Sequence, residues 1–255
     1  MNQKNVRLYI HIPFCKKKCE YCDFKSYAGK ENLIDEYMKW LNYEIKEVGE
    51  GNQYDYEAGR DDLAIVKTIY IGGGTPSVVD SKYILQIMDC IKENYLVAED
   101  VEVTIEINPG TVNEEKLSTY KKSGINRLSI GLQETHNDLL KTLGRIHSYE
   151  DFLTTYQLAR DVGFQNINVD LMLGLPGQTI ADLEESLDRI IELNPEHISV
   201  YSLIIEENTP FYEKLNENKI ILPEDEAERK MYWLTKQKLE RAGYIHYEIS
   251  NFAKK

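Results

Sequence analysis

Residues 9–24 read YIHIPFCKKKCEYCDF, and the fold and chemistry of the chain follow from this stretch. A short apolar, β-branched run ends at Ile12, and Cys15, Cys19 and Cys22 come directly after it in a C-x3-C-x2-C array. Three thiolates on one loop suit three irons of a 4Fe-4S cluster, whose fourth iron then stays open to a small molecule bearing an amine and a carboxylate. Zinc is the rival occupant, but structural zinc takes four protein ligands, with cysteine pairs separated by a long spacer. Here three cysteines crowd into eight residues, and the fourth, Cys90, stands among apolar residues of an expected helix, where it reads as a small buried hydrophobe. With four cysteines in 255 residues and no secretory signal pattern at Met1, a disulfide framework is disfavoured and a reducing compartment, the cytoplasm, is expected.

Working outward, apolar β-branched runs alternate with stretches of helical period, as in a parallel sheet wrapped by helices. Strands are expected at 6–12, 66–71, 101–107, 127–131, 166–172 and 197–203, and helices at 33–48, 81–95, 113–123, 149–162 and 181–193. Six strands with intervening helices predict an α/β fold, a partial (β/α)6 barrel two units short of the common eight. Residues 49–63 carry Gly, Asp, Asn and Tyr without a sustained period and are expected to form an exposed loop. Lys plus Arg total 30 against 43 Asp plus Glu, a net charge of −13, which argues against nucleic acid as a partner. No apolar run reaches the roughly 18 residues that a membrane-spanning helix requires, so no transmembrane segment is expected.

In α/β barrels the chemistry gathers at the carboxyl ends of the strands. After the first run comes the cysteine loop, and after the second come Gly72, Gly73, Gly74, Thr75 and Pro76. Successive glycines let backbone groups approach a ligand without an intervening Cβ, although a triple glycine alone also fits a turn. Glu106 ends the third run in EINPG, Gln133 follows the fourth in SIGLQ, Arg145 lies in LGRIHS, and Asp170 sits inside the apolar fifth run. Each could simply be a cap or a solvated strand end. A carboxylate inside an apolar strand, however, is costly to bury without a partner. Together these groups offer carboxylates for ribose hydroxyls or an amino group and a guanidinium for a carboxylate. No residue stands out as a catalytic acid or base.

The segments YIHIPFC, CDF, GGGTPS, EINPG, SIGLQ, LGR and DLMLGLPGQT, in this order, resemble the coproporphyrinogen dehydrogenase-like branch of the radical SAM superfamily along essentially the whole chain. The resemblance implies a partial barrel in which Cys15, Cys19 and Cys22 ligate a 4Fe-4S cluster. It also implies that Tyr9, Gly73, Gly74, Thr75, Glu106, Gln133, Arg145 and Asp170 contact S-adenosylmethionine, which such proteins cleave reductively to a 5'-deoxyadenosyl radical. A reductant such as flavodoxin or ferredoxin is implied as well.

The branch contains a heme chaperone, which binds heme and delivers it to apo-hemoproteins, and an oxygen-independent coproporphyrinogen III oxidase of porphyrin biosynthesis, which decarboxylates propionates to vinyls. The oxidase pattern continues C-x3-C-x2-C-x-C, whereas this chain has Phe24 at the last position. That difference favours the chaperone. Both kinds of member continue into a C-terminal domain, where the chaperone carries an HNxxYW motif associated with heme binding, so the resemblance implies that the chain is a truncated piece holding the barrel domain, residues 1–255. Histidines His11, His136, His147, His197 and His246 are candidates for heme iron or ordinary polar residues, and His11, beside the cysteines, for tuning the cluster.

Overall fold

The computed structural model describes residues 5–50 and 65–255. From position 51 on, the loop expected at 49–63 lies outside these residues; Gly49 itself ends a helix.

In chain order the elements are β1 (Asn5–Ile12), the two-residue strands β2 (Phe14–Cys15) and β3 (Tyr27–Ala28), α1 (Ile34–Gly49), β4 (Ile65–Gly73), α2 (Ser81–Asn94), β5 (Leu96–Ile107), α3 (Glu114–Ser123) and β6 (Arg127–Gln133). They continue with α4 (Asn137–Thr142), α5 (Tyr149–Asp161), β7 (Asn166–Leu173), α6 (Ile180–Leu193), β8 (His197–Ser202), α7 (Pro210–Asn216), α8 (Asp225–Arg241), β9 (Ile245–Glu248) and β10 (Asn251–Ala253).

The main sheet runs β1-β4-β5-β6-β7-β8-β10-β9. Its first six strands are all parallel and are the six expected from sequence. Along these strands apolar residues alternate with polar ones: Ile69, Ile71, Ile105, Leu128, Ile130, Ile167 and Val169, all at most 1% exposed, share the face that packs into the core, while Tyr70, Glu106, Ser129, Asn168 and Asp170 take the opposite face. The sheet stays open, with β1 and β9 as its ends. The sequence reading missed β9 and β10, which extend the sheet antiparallel from β8, and α4, α7 and α8. It also started β5 five residues late: Leu96 and Val97 pair with Ile65 and Val66 before a register shift, and the acidic Glu99 and Asp100 hide this in the sequence. In α8 only Met231, Thr235 and Leu239 are buried, a stripe too narrow to stand out among charged residues.

Local chemistry fixes the helix starts. Asn113 caps α3, Asp80 caps α2, and Ser148 with Asp151 and Thr179 with Asp182 form capping boxes on α5 and α6. Helix α2 buries Ile84, Ile87, Met88 and Ile91, and α6 buries Leu183, Leu187 and Ile190; these stripes hold the helices on the sheet and orient its carboxyl edge. Cys90 on α2 is only partly buried, not the fully buried hydrophobe its surroundings in sequence suggested. Its thiol donates to the carbonyl of Asn42 at 3.4 Å, a polar partner that the local pattern does not reveal.

Candidate functional site at the carboxyl edge of the sheet

The cysteine loop is pinned at both ends. Phe14 and Cys15 pair with Tyr27 and Ala28 in a small parallel sheet, and the Tyr27 N–H donates to the Pro13 carbonyl at 2.7 Å. His11 adds a third tie. Its Nε2–H donates to the Lys25 carbonyl at 2.8 Å, which leaves Nδ1 to accept from the Tyr9 hydroxyl at 3.0 Å. His11 thus fastens the loop to β1 through the backbone.

The glycine turn is stitched to the same loop. The Gly74 N–H donates to Ile12 O at 2.9 Å and the Thr75 N–H to Phe14 O at 2.8 Å. A Cβ on Gly72 would meet the Glu106 carboxyl at 3.0 Å, one on Gly73 the His11 ring at 2.7 Å, and one on Gly74 the Phe14 carbonyl at 2.7 Å and Cys15 Sγ at 3.0 Å. Gly73 also has φ +122°, a backbone region that side chains disfavour. The three glycines are therefore demanded by the protein's own close packing, a reason the sequence reading, which looked to a ligand, did not supply.

Each cysteine sulfur faces a polar partner from a different source. The Thr75 hydroxyl donates to Cys15 Sγ at 3.6 Å, Arg145 Nη1 to Cys19 Sγ at 3.5 Å, and Ser26 Oγ lies 3.9 Å from Cys22 Sγ. Cys15 is buried and Cys19 and Cys22 partly so; burial pushes the Cys15 thiol up, opposed by hydrogen bonds from Thr75 and Ser26. Among the described residues no three Cys, His, Asp or Glu side chains converge on one point to chelate a single ion. Thiolates that each take a different iron of a cluster have no need to converge.

Asn108, which the sequence reading passed over, is the hub of the next layer. Its Nδ2 donates to Thr75 Oγ1 at 2.9 Å, its Oδ1 accepts from Arg145 Nη2 at 2.8 Å, and its N–H donates to Ser77 Oγ at 3.2 Å. Arg145 Nη2 also donates to the Gly131 carbonyl at 2.5 Å, while Arg145 Nε is a buried donor without a partner. Gln133 is drawn to the same place: a Cβ on Gly131 would meet Asn108 Oδ1 at 2.9 Å, Gln133 Nε2 at 3.1 Å and Arg145 Nη2 at 3.4 Å. The backbone of Gln133 is left-handed, φ +76°, beside a register shift between β6 and β7. A non-glycine residue held in this region at a strand end is a common mark of a functional site. Asn108 had only one signal in the sequence, its place between Glu106 and Pro109 beyond a strand end.

A second group forms on the neighbouring strands. Glu106 accepts from the Tyr70 hydroxyl at 2.8 Å and from the Gly73 N–H at 3.1 Å, and the Tyr9 ring stacks on Tyr70 at 6.1 Å. Asp170 accepts from Ser129 Oγ at 3.1 Å and Asn168 Nδ2 at 2.7 Å, the partners its place in an apolar strand called for. Burial holds both carboxyls above the usual carboxylate range, and the charge of Asp170 adds to the shift at Glu106. The eight residues expected to contact S-adenosylmethionine thus fall into two groups. Gly74, Thr75, Gln133 and Arg145 stand with the cysteines; Tyr9, Gly73, Glu106 and Asp170 stand beside a cavity of about 340 Å³ lined by Tyr70, Arg127, Ser129, Asn168 and His197.

All five histidines have hydrogen-bond partners within the chain: His136 bridges Glu134 and Glu185, His147 donates to Leu132 O, His197 joins Asn168 to Tyr247, and His246 bonds Ile249 O. Phe24 is 72% exposed and packs into no core. No helix among the described residues is long and apolar enough to cross a membrane.

Comparison with known proteins returns what the motifs led us to expect. Residues 9–190 match the Radical SAM superfamily. The chain is 42% identical over 248 residues to the heme chaperone HemW of Bacillus subtilis (strain 168), covering 96% of this chain and 63% of that protein. It is 40% identical over 250 residues to HemW of Escherichia coli (strain K12), covering 98% and 63%. The chain therefore spans less than two thirds of the length of these relatives. Among solved structures it is similar to the coproporphyrinogen III oxidase HemN from Escherichia coli, a radical SAM enzyme, with a TM-score of 0.85 and 28% identity over 99% of this chain and 56% of that one.

Proposed function

The chain belongs to the radical SAM superfamily, and from that premise we propose that Cys15, Cys19 and Cys22 hold a 4Fe-4S cluster beside bound S-adenosylmethionine, in a protein that carries heme. Membership of the superfamily implies the cluster and S-adenosylmethionine; the assignment of residues to them is our own. The observation that carries it is the set of three sulfurs on one pinned loop, each facing Thr75, Arg145 or Ser26. Hydrogen bonds and a cation beside cluster sulfurs stabilise added negative charge. When bound, such a cluster supplies one electron to the sulfonium of S-adenosylmethionine.

The chain's own residues bind and orient. Arg145, with its unpartnered Nε, offers a cation and a free donor to a carboxylate, and Asn108 holds the guanidinium in place. Glu106 and Asp170 offer acceptors to an amino group or ribose hydroxyls, and Tyr9, Gly73, Gly74, Thr75 and Gln133 complete the contacts.

Delivery of heme to apo-hemoproteins is supported by the relatives named HemW, which match over nearly the whole chain, and by Phe24 at the position where the oxidase pattern has a further cysteine. Four free thiols favour a reducing, cytoplasmic setting. The second reading, a coproporphyrinogen III oxidase, has in its favour the close likeness of the fold to HemN. One pair of assays separates them. With the cluster reconstituted, heme titration and transfer to an apo-hemoprotein should succeed while coproporphyrinogen III is not decarboxylated. Turnover of the porphyrinogen would overturn the chaperone assignment.

A further inference from the structure

Three consecutive lysines, Lys16, Lys17 and Lys18, fill the gap between the first two cysteines, and Lys25 and Lys30 follow on the same loop. All five are exposed in a chain of net charge −13. Elsewhere lysines such as Lys46, Lys67, Lys214 and Lys238 face carboxylates within ion-pair distance. Among the described residues none of these five does, and of the two acidic residues in the segment, Glu20 is already taken by Lys214 at 3.0 Å. Five lysines against Glu20 and Asp23 leave the segment net positive. Two large apolar side chains stand among them: Phe24 is 72% exposed and Tyr27 54%. Lys18 Nζ donates to the Phe24 backbone carbonyl at 3.1 Å, and Lys16 and Lys17 line a cleft with Cys19 and Arg145.

An electron bound for a cluster on this loop has no internal relay through cysteine. The only other cysteine, Cys90, lies on α2 with its thiol turned to Asn42. The donor must therefore approach the loop itself. We propose that residues 15–30 are the docking face for an acidic protein electron donor, with Phe24 and Tyr27 as apolar anchors and Lys16, Lys17, Lys18, Lys25 and Lys30 as the steering charges. This deepens the proposed function and depends on its cluster. One electron leaves the donor's reduced centre and enters the cluster; the donor is oxidised by one electron, the cluster is reduced by one, and no proton or group is transferred. Exposed aromatic side chains on a segment of like charge give a weak, fast, salt-sensitive complex, which suits a donor that must leave after each transfer.

The test uses an acidic flavodoxin as the probe. Carbodiimide coupling, which joins amines to carboxylates in contact, should map cross-links to the five loop lysines. Calorimetric affinity should fall as salt is raised. Lys25→Glu with Lys30→Glu should weaken binding by about tenfold or more at low ionic strength, whereas Lys25→Arg with Lys30→Arg should keep it. Reduction of the cluster by dithionite, which needs no docking, should be the same in all three proteins. Unchanged affinity in the charge-reversed protein, or cross-links mapped to other lysines, would overturn the proposal, as would binding to phosphatidylglycerol vesicles that depends on these lysines when flavodoxin does not bind. Binding and cross-linking are also read on cluster-free protein. A wild-type protein that docks flavodoxin but assembles no cluster responsive to S-adenosylmethionine would refute the functional assignment and leave the docking face standing.

Discussion

Replacing Gly74 by alanine should disable cluster assembly by a purely steric route. Gly74 does not have positive φ, so alanine there adds no backbone strain. Its new Cβ would stand 2.7 Å from the Phe14 carbonyl oxygen and 3.0 Å from both Cys15 Sγ and the Pro13 carbonyl carbon. Two of these neighbours are backbone, in a segment pinned by β2–β3 pairing and by the Gly74 and Thr75 N–H bonds. To restore ordinary contact the loop must retreat by roughly 0.7 Å, which a close-packed interior resists. Overpacking of this kind costs about 2 kcal/mol, a fall in Tm of about 5 °C for a chain of this size. More telling is that the retreat moves Cys15 relative to Cys19 and Cys22. The control is Gly243→Ala: φ is +90° and nothing lies within 4 Å of the added Cβ, so its cost is backbone strain of about 1 kcal/mol, away from the loop. Thermal unfolding of the cluster-free proteins and iron content after reconstitution are measured on both. Both variants should melt below wild type, and only Gly74→Ala should load less iron. A Gly74→Ala protein with wild-type Tm and full iron would refute the packing argument.

Cys19→Ser should abolish the visible absorption of a reconstituted cluster, whereas Cys90→Ser should keep it, because the Cys90 thiol sits on α2, bonded to the Asn42 carbonyl and the Asn94 amide rather than to the loop. Glu106→Gln can still accept from Gly73 and donate to the Tyr70 hydroxyl. The native Glu106 carboxyl is held above its unfolded value by burial and by Asp170, so it destabilises the fold increasingly as pH rises above about 4.3. The glutamine variant should therefore gain stability over wild type between acid and neutral pH, and a pH-independent difference in Tm would contradict this. Burial and the neighbouring Arg145 push His147 down to about 3. Its native form binds fewer protons than the unfolded chain, so stability is lost as pH falls from about 6.5 toward 3, by up to about 1.4 kcal/mol per pH unit. Urea titrations at several pH values should show a shallower acid loss for His147→Gln, which can keep a donor for Leu132 O.

The sequence was most legible where information is local. The six parallel strands could be read because each carries Ile, Val or Leu at alternate positions, and their helices because stripes such as Ile84, Ile87, Met88 and Ile91 repeat at helical spacing. Antiparallel β9 and β10 were missed because their short segments are partly exposed and carry no continuous apolar run. The cysteine array, the triple glycine and the polar strand ends pointed to one edge of the sheet because they follow runs whose order and direction fix where they emerge.

How those groups meet was not legible. Arg145 reaches Cys19 across 126 residues of sequence, Thr75 reaches Cys15 across 60, and Asn108 ties Arg145 to Thr75. The triple glycine looks like room for a ligand in sequence; in space it is room for His11, Glu106 and Cys15. Phe24 marked an absent thiol, and its exposure became visible only when the loop was seen pinned at both ends with the ring outside. Spacing along the chain determines which groups a loop or strand end can present. Which of them come within hydrogen-bond reach depends on how separate strands are aligned by the packing of their shared core, and that alignment exists only in the folded chain.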